Sequence, residues 1–173
     1  KAYRTLRFGV YVPETEGGLA VPASGAAQPE EWLAALVRWT QKQLGETWSV
    51  YADAWPAQPG RQAVLWRMSG CETRMAGASM YELRKRFIGH ITAPDTTEEN
   101  RAASALIEGF AAQIQLPLDQ DKGRYMSTAE ASADLQADAI LDGQLRLMLV
   151  QRRMRPAEEA ALIRRVEIHP ILK

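Results

Sequence analysis

The chain has 173 residues, 46% hydrophobic and 24% charged, which is long enough for a single domain with a core of its own. Its 21 basic and 21 acidic residues balance, which argues against a free-standing nucleic-acid-binding protein without excluding a local basic patch. A single cysteine excludes an intrachain disulfide scaffold, and no run approaches the roughly 20 apolar residues of a membrane helix. The N-terminal residues lack the apolar stretch of a signal peptide, so synthesis in the cytoplasm is expected.

Residues 1–28 are predicted to form an N-terminal arm and loop ahead of one α+β domain at residues 29–173. Apolar residues alternate with other residues between Tyr3 and Val12, as in a strand with one apolar face. That apolar set is Leu6, Phe8, Val10 and Val12. Residues 13–28 are rich in Gly, Ala, Pro and Ser, a composition typical of loops. A strand on such a connector could fold back on its own sheet or add to a neighbour's edge.

A helix is predicted to open at Pro29, which suits the first helical position, and to stop at Gly45. Two short strands follow, at residues 48–55 and 62–68, and they could pair as a long hairpin. Three tryptophans lie in these strands: Trp48, Trp55 and Trp66. We interpret them as core or interface residues, with a ligand pocket as the alternative.

The strand predicted at residues 79–92 is the clearest in the chain, because its two faces differ in composition. One face is apolar and faces the core. The other is charged and carries Glu82, Arg84 and Arg86. Pro94 ends the strand, and Asp95 with Glu98 forms a capping box that opens a second helix, predicted to run through Gln113.

The second helix has a predicted apolar stripe of Leu106, Phe110 and Ile114, flanked by small residues that permit close packing. These include Ala102, Ala105 and Gly109. Residues 125–139 fit a helix with Glu130, Asp134 and Asp138 on one face about as well as a strand with a bulge. Strands are predicted again at residues 144–154 and 164–169.

This element order disfavours a doubly wound parallel sheet, because helices do not alternate with every strand. The predicted fold class is α+β, with an antiparallel or mixed sheet and two main helices packed on one face. The opposite face of the sheet is then left free.

No catalytic or ligand-binding motif is present: the sequence has no nucleophile elbow and no glycine-rich phosphate loop. His90 and His169 belong to no metal-ligand pattern, and a solvated face explains Glu130, Asp134 and Asp138 better than a cation site. We therefore predict a non-enzymatic protein with no catalytic residues, no cofactor and no metal. Arginine-rich runs on the strands favour ion pairs between subunits over nucleic-acid binding.

Several short segments follow one another in a distinctive order. A helix precedes Val50-Tyr51 and Trp55-Pro56; then come residues 63–67 (AVLWR), residues 87–95 (FIGHITAPD) running into a helix, and Asp142-Gly143-Gln144 leading into a strand. Over residues 29–155 this layout is similar to that of the tail terminator (tail-completion, minor tail) proteins of long-tailed bacteriophages and phage-like particles. A head–tail connector subunit is the alternative within the same class.

The resemblance implies a structural protein of the virion, located at the head-proximal end of the tail. Such subunits form a homo-oligomeric ring, expected to be a hexamer, that ends the tail tube and joins it to the head-side connector. The expected partners are further copies of the chain, the tail-tube protein and the connector protein, with DNA only as cargo passing through the lumen and no membrane. Candidate residues for the subunit interface or lumen are Glu82, Arg84, Arg86, Ala102, Ala105, Gly109, Phe8 and Val10.

Overall fold

A computed structural model describes residues 30–119 and 121–156, and the elements within them form one layer of helices on one sheet. In chain order they are α1 (Glu31–Leu44), β1 (Ser49–Ala52), β2 (Ala63–Met75), β3 (Met80–Thr92), α2 (Thr96–Ala112), β4 (Gln115–Asp119), β5 (Arg124–Ala133) and β6 (Leu145–Met154). Neither helix in this part of the chain is both long and apolar enough to cross a membrane. The predicted arm, with Phe8 and Val10, and the strand predicted at 164–169 lie outside the described residues.

The six strands form one mixed sheet in the order β1-β2-β3-β6-β5-β4. All neighbours are antiparallel except β1 and β2, which run parallel with Ser49 opposite Ala63. The predicted hairpin between these two strands is therefore wrong. Residues 53–62 carry the chain back to the level where β1 began, starting from a left-handed turn at Asp53 (φ 64°).

Both helices pack on the same face of the sheet, which confirms the predicted α+β class. The ring of Trp39 in α1 stacks on Phe110 in α2, with 4.1 Å between ring centroids. Gly109 allows this approach, because a Cβ at that position would lie 3.1 Å from the Trp39 ring. The small residue is thus explained by contact between the two helices.

The predicted helix ends are confirmed, except that α1 begins at Glu31 and not at Pro29. Glu30 caps α1 by accepting hydrogen bonds from the amides of Trp32 and Leu33, and the helix begins at Glu31. Gly45 closes it with a φ of 84°. Asp95 caps α2 by accepting from the Glu98 amide at 2.9 Å.

Three predictions for the second half of the described chain differ from the structure or had left two alternatives open. Residues 124–133 form strand β5 with a bulge near Thr128, so the helical alternative is wrong. Residues 115–119 form β4, a strand that the sequence did not predict because Pro117 lies within it; proline is tolerated there because β4 is an edge strand. Ile114 is 79% exposed and is not part of the apolar stripe.

The centre of the core is the contact between Trp66 of β2 and Gly89 of β3. Trp66 is fully buried, and a Cβ placed on Gly89 would lie 2.8 Å from its ring and 3.0 Å from the Leu145 Cβ. The indole Nε1–H donates to the Thr40 hydroxyl of α1 at 2.9 Å. The glycine in β3 is therefore required by the size of the tryptophan beside it.

We expect Gly89→Ala to lower the free energy of unfolding by about 1–3 kcal/mol, because the added methyl group overpacks the core against Trp66. Gly70→Ala is the matched control, since its Cβ would meet nothing closer than 4.0 Å. That control should change stability by less than about 0.5 kcal/mol. Urea unfolding of both variants measures the difference, and equal losses would contradict the assignment of Trp66 as the obstacle.

Candidate functional site

The face of the sheet opposite the helices carries a cluster of charged side chains toward the β2–β3 turn. We call this cluster the open face; it consists of Glu72, Arg74, Glu82, Arg84, Arg86 and Arg152. Strand register brings them together, because Glu82 lies opposite both Arg74 in β2 and Arg152 in β6. Arginines outnumber glutamates here, so the open face is basic although the whole chain is neutral.

Glu82 is the centre of the open face. Its carboxylate lies 3.4 Å from Arg84 Nε on one oxygen and 3.4 Å from Arg152 Nε on the other. The side chains of Glu82 and Arg84 are only 17% and 23% exposed, whereas Arg152 is 70% exposed. One partly buried carboxylate thus serves two guanidinium groups, which leaves net positive charge at this point.

A second ion pair flanks this centre. Arg86 Nη2 lies 2.8 Å from Glu72 Oε2, and both side chains are about half exposed. The sequence predicted Glu82, Arg84 and Arg86 on one face, and the structure places them there. Arg152 belongs to one of the arginine-rich runs noted in the sequence, but neither it nor Glu72 was predicted to join this cluster, because their positions beside β3 depend on the register of two other strands.

The predicted interface residues of α2 lie in the helix layer, on the other side of the sheet from the open face. Ala102 is 4% exposed and packs within the chain's own core, so it is not available to a neighbouring subunit. Gly109 faces Trp39 of α1, and Ala105 is exposed on α2. The helix residues and the charged strand residues therefore belong to opposite faces and do not form one patch.

The three tryptophans predicted as core or pocket residues are distributed unevenly. Trp66 is fully buried and Trp48 is 8% exposed, and both are core residues. Trp55 is half-buried, with its ring edge toward Tyr51 at a centroid distance of 6.0 Å. The packing around Trp66 leaves no room for a ligand shared by all three.

The opposite end of the same sheet face is covered by the β5–β6 connection, residues 134–144. His90 of β3 is 1% exposed beneath it. Its Nδ1–H donates to the Ala139 carbonyl at 2.8 Å, which leaves Nε2 to accept from Arg67 Nε at 3.0 Å. The amide of Gln144 continues this attachment, because it both accepts from and donates to the backbone of Ile91 at 2.9 Å.

The surroundings of His90 oppose its protonation. Burial lowers the pKa of the imidazole from its ordinary value of 6.5, and the nearby Arg67 and Arg146 guanidiniums lower it further. The hydrogen bond to Ala139 and the charge of Asp138 act in the opposite direction without reversing the shift. The folded protein therefore holds His90 as the neutral tautomer described above.

The acidic residues that the sequence spaced four apart have separate structural roles. Asp134 accepts from the Gln136 amide, and Asp138 accepts from the amides of Ile140 and Leu141. These backbone bonds lower the pKa of the Asp138 carboxyl. Within residues 30–119 and 121–156, no three His, Cys, Asp or Glu side chains form a group that could hold a metal ion.

No protein-family model matches the chain, and no curated protein sequence matches it. The function is therefore inferred from the open face, from the layout of the helices and strands, and from the resemblance to tail terminator proteins.

We expect Glu82→Gln to cost about 1–3 kcal/mol of folding free energy, because it leaves two guanidinium groups without their shared, partly buried carboxylate. Glu72→Gln is the matched control, since its exposed pair with Arg86 contributes less than about 1 kcal/mol. Chemical denaturation at low ionic strength measures both. A Glu82 variant as stable as the Glu72 variant would contradict the central role given to Glu82.

We expect the stability of the protein to fall as the pH is lowered below about 7, with His90 as a contributor. The unfolded imidazole takes up a proton near pH 6.5, whereas the folded one does so only at lower pH, so acid favours the unfolded state. Denaturant unfolding between pH 7.5 and pH 5.5 should show a smaller loss in His90→Gln than in the wild type. Equal pH dependence in the wild type and in His90→Gln would refute the assignment.

Proposed function

We propose that the chain is a structural, non-enzymatic subunit of a phage tail-terminator ring. In this proposal several copies, expected to be six, assemble at the head-proximal end of the tail. The ring ends the tail tube and provides the docking surface for the head-side connector. The observation that carries the proposal is the open face: a basic, partly buried ion-pair cluster on the side of the sheet away from the helices.

The geometry of the open face suits contact with another copy of the chain. Glu82 forms ion pairs with Arg84 and Arg152, so both guanidiniums are positioned, and Arg84 is partly desolvated, before any partner arrives. Arginine is favoured at protein interfaces because its guanidinium is weakly hydrated and binds carboxylates through paired donors. The excess of arginine calls for acidic groups from the partner, and a neutral chain has as many acidic as basic residues to supply them.

The layout of the fold also supports the proposal. The segments that carry the resemblance occupy α1, β1, β2, β3 and the start of α2, which follow one another without a further element between them. The late segment at residues 142–144 leads into β6, which pairs with β3 in the middle of the sheet. The segments that carry the resemblance therefore lie in, or next to, the helices and strands that support the open face.

The partners follow from this role. The two rims of the ring would contact the tail-tube protein and the connector protein, and DNA would pass through the lumen without base-specific recognition. The arginines of the open face would lie either between subunits or along the lumen. A connector subunit on the head side differs from this proposal in not binding the tail tube directly.

We expect the protein to form a ring-sized oligomer when mixed with the tail-tube protein of the same genome. Light scattering coupled to gel filtration, at micromolar concentration, measures the mass with and without the tube protein. A monomer that remains a monomer with the tube present would contradict the proposal, and an oligomer that ignores the tube would favour the connector role.

Arg86→Glu tests whether the open face takes part in this assembly. The side chain is 54% exposed, so reversing its charge should leave folding intact and reduce the fraction of oligomer at least tenfold. Arg101→Glu is the matched control, because Arg101 is an exposed basic residue on α2, in the helix layer on the opposite side of the sheet. Thermal unfolding confirms that both variants fold, and equal assembly of the two would exclude the open face as an interface.

A further inference from the structure

Strand β2 has a long free edge. Strand β1 pairs with β2 only from Ala63 to Trp66. The last backbone hydrogen bond on that side joins the Asp53 amide to the Trp66 carbonyl at 2.9 Å. From Arg67 to Met75, no strand of the described chain pairs with β2 on the side away from β3. At about 3.3 Å per residue this edge is roughly 30 Å long.

The free edge has one largely apolar and one charged side. Strand register places Met68, Cys71, Thr73 and Met75 on the side of the sheet that faces the helices. All four are exposed, and Met75 is 70% exposed. The other side carries Arg67, Glu72 and Arg74. A strand added here would need one apolar face and one polar face, together with backbone groups to complete the ladder.

We propose that residues 3–12 of the same chain occupy this edge as an additional strand. Their sequence has the required two faces: Leu6, Phe8, Val10 and Val12 on one side, and Thr5, Arg7, Gly9 and Tyr11 on the other. The apolar set lies over Met68 and Met75, and Arg7 lies on the side of Glu72. The segment is also about as long as the edge that it covers.

The start of the described chain lies close to the edge. The Glu30 carboxylate forms an ion pair with Lys85 Nζ, and Lys85 is the register partner of Cys71 on β2. Glu30 is thus separated from the edge by the two ion-paired side chains and one strand spacing of about 4.8 Å. A connector with the length and the Gly-, Ala-, Pro- and Ser-rich composition of residues 13–29 can span about 20–25 Å, which is ample.

Tethering favours the chain's own arm over that of a second copy. A segment on a short flexible connector experiences an effective concentration of about 1 mM, well above the micromolar concentration of other copies. Of the two possibilities that the sequence left open for the arm, the geometry therefore points to its own sheet. This inference does not depend on the proposed ring, because it concerns a single chain.

Cys71 provides the test, because it is the only cysteine of the chain and it lies exposed on the edge. Residues 5–12 are changed to cysteine one at a time in the full-length protein, which is then oxidised at about 10 μM and analysed on a non-reducing gel. We expect a disulfide with Cys71 only from the apolar set, since neighbouring side chains must lie on the same face of a sheet to meet disulfide geometry. The product should migrate as a monomer with altered mobility, and adding Cys71→Ser should abolish it.

Each possible cross-linking result either supports or contradicts the proposed position of the arm. Cross-linking from both sets equally, or from neither, would overturn the proposal, because the segment then has no fixed face on this edge. Disulfide-linked dimers would also overturn it and show that the arm adds to a neighbouring copy. A monomeric cross-link in a protein that never assembles would support this inference while contradicting the proposed ring.

Hydrogen exchange gives a second measurement that introduces no new cysteine. The amides of residues 67–75 that point away from β3 should exchange at least tenfold faster in Val10→Pro than in the wild type, because proline cannot take part fully in the added ladder. Ala20→Pro in the connector is the control and should leave these amides protected. Unchanged exchange in Val10→Pro would count against an added strand.

Discussion

The packing of Trp66 determines how the rest of the described chain is arranged. Its ring lies over Gly89 in the middle of the sheet and meets Phe110 of α2 edge-on at 6.1 Å, and its indole N–H is satisfied by Thr40 of α1. One side chain therefore holds both helices against the centre of the sheet. Burying the indole N–H without the threonine would cost about 1–3 kcal/mol, so the position of α1 depends on this hydrogen bond as well as on apolar contact.

The two faces of the sheet follow from this arrangement. Because both helices cover the Trp66 face, the large apolar side chains collect there and the other face is left to polar groups. Among the described residues, the connection at 134–144 covers one end of that second face. Hydrogen bonds of His90 and Gln144 attach it there. At the end beyond this cover, long arginine side chains lie along the strands and partly bury Glu82. The charged cluster is thus a consequence of a core built on one side only.

Much of the fold could be predicted from local patterns, because alternation and caps act over a few residues. The faces of β3, the caps at Gly45 and Asp95, and the common face of Glu82 and Arg84 were all predicted correctly. The parallel pairing of β1 with β2 could not be predicted, because it depends on contacts formed only after the sheet assembles. Small residues at Ala102 and Gly109 indicated close packing without indicating the partner, which proved to be the chain itself. The role of Gln144 could not be predicted from the sequence, because a single side chain that hydrogen-bonds to the backbone of Ile91 leaves no periodic pattern.

The open face and the free edge of β2 would be recognised by a partner through different chemical groups. An edge is recognised chiefly through backbone groups, so many sequences with the right alternation can occupy it, and a tethered segment has the advantage of proximity. A charged face is recognised through side chains at fixed positions, so it discriminates between partners more strongly. The edge formed by β4 is short and contains Pro117, which already discourages pairing there. If the arm closes the edge of β2 beyond β1, the longest unpaired stretch of the described sheet is covered, and specific contact between copies is left to the open face around Glu82.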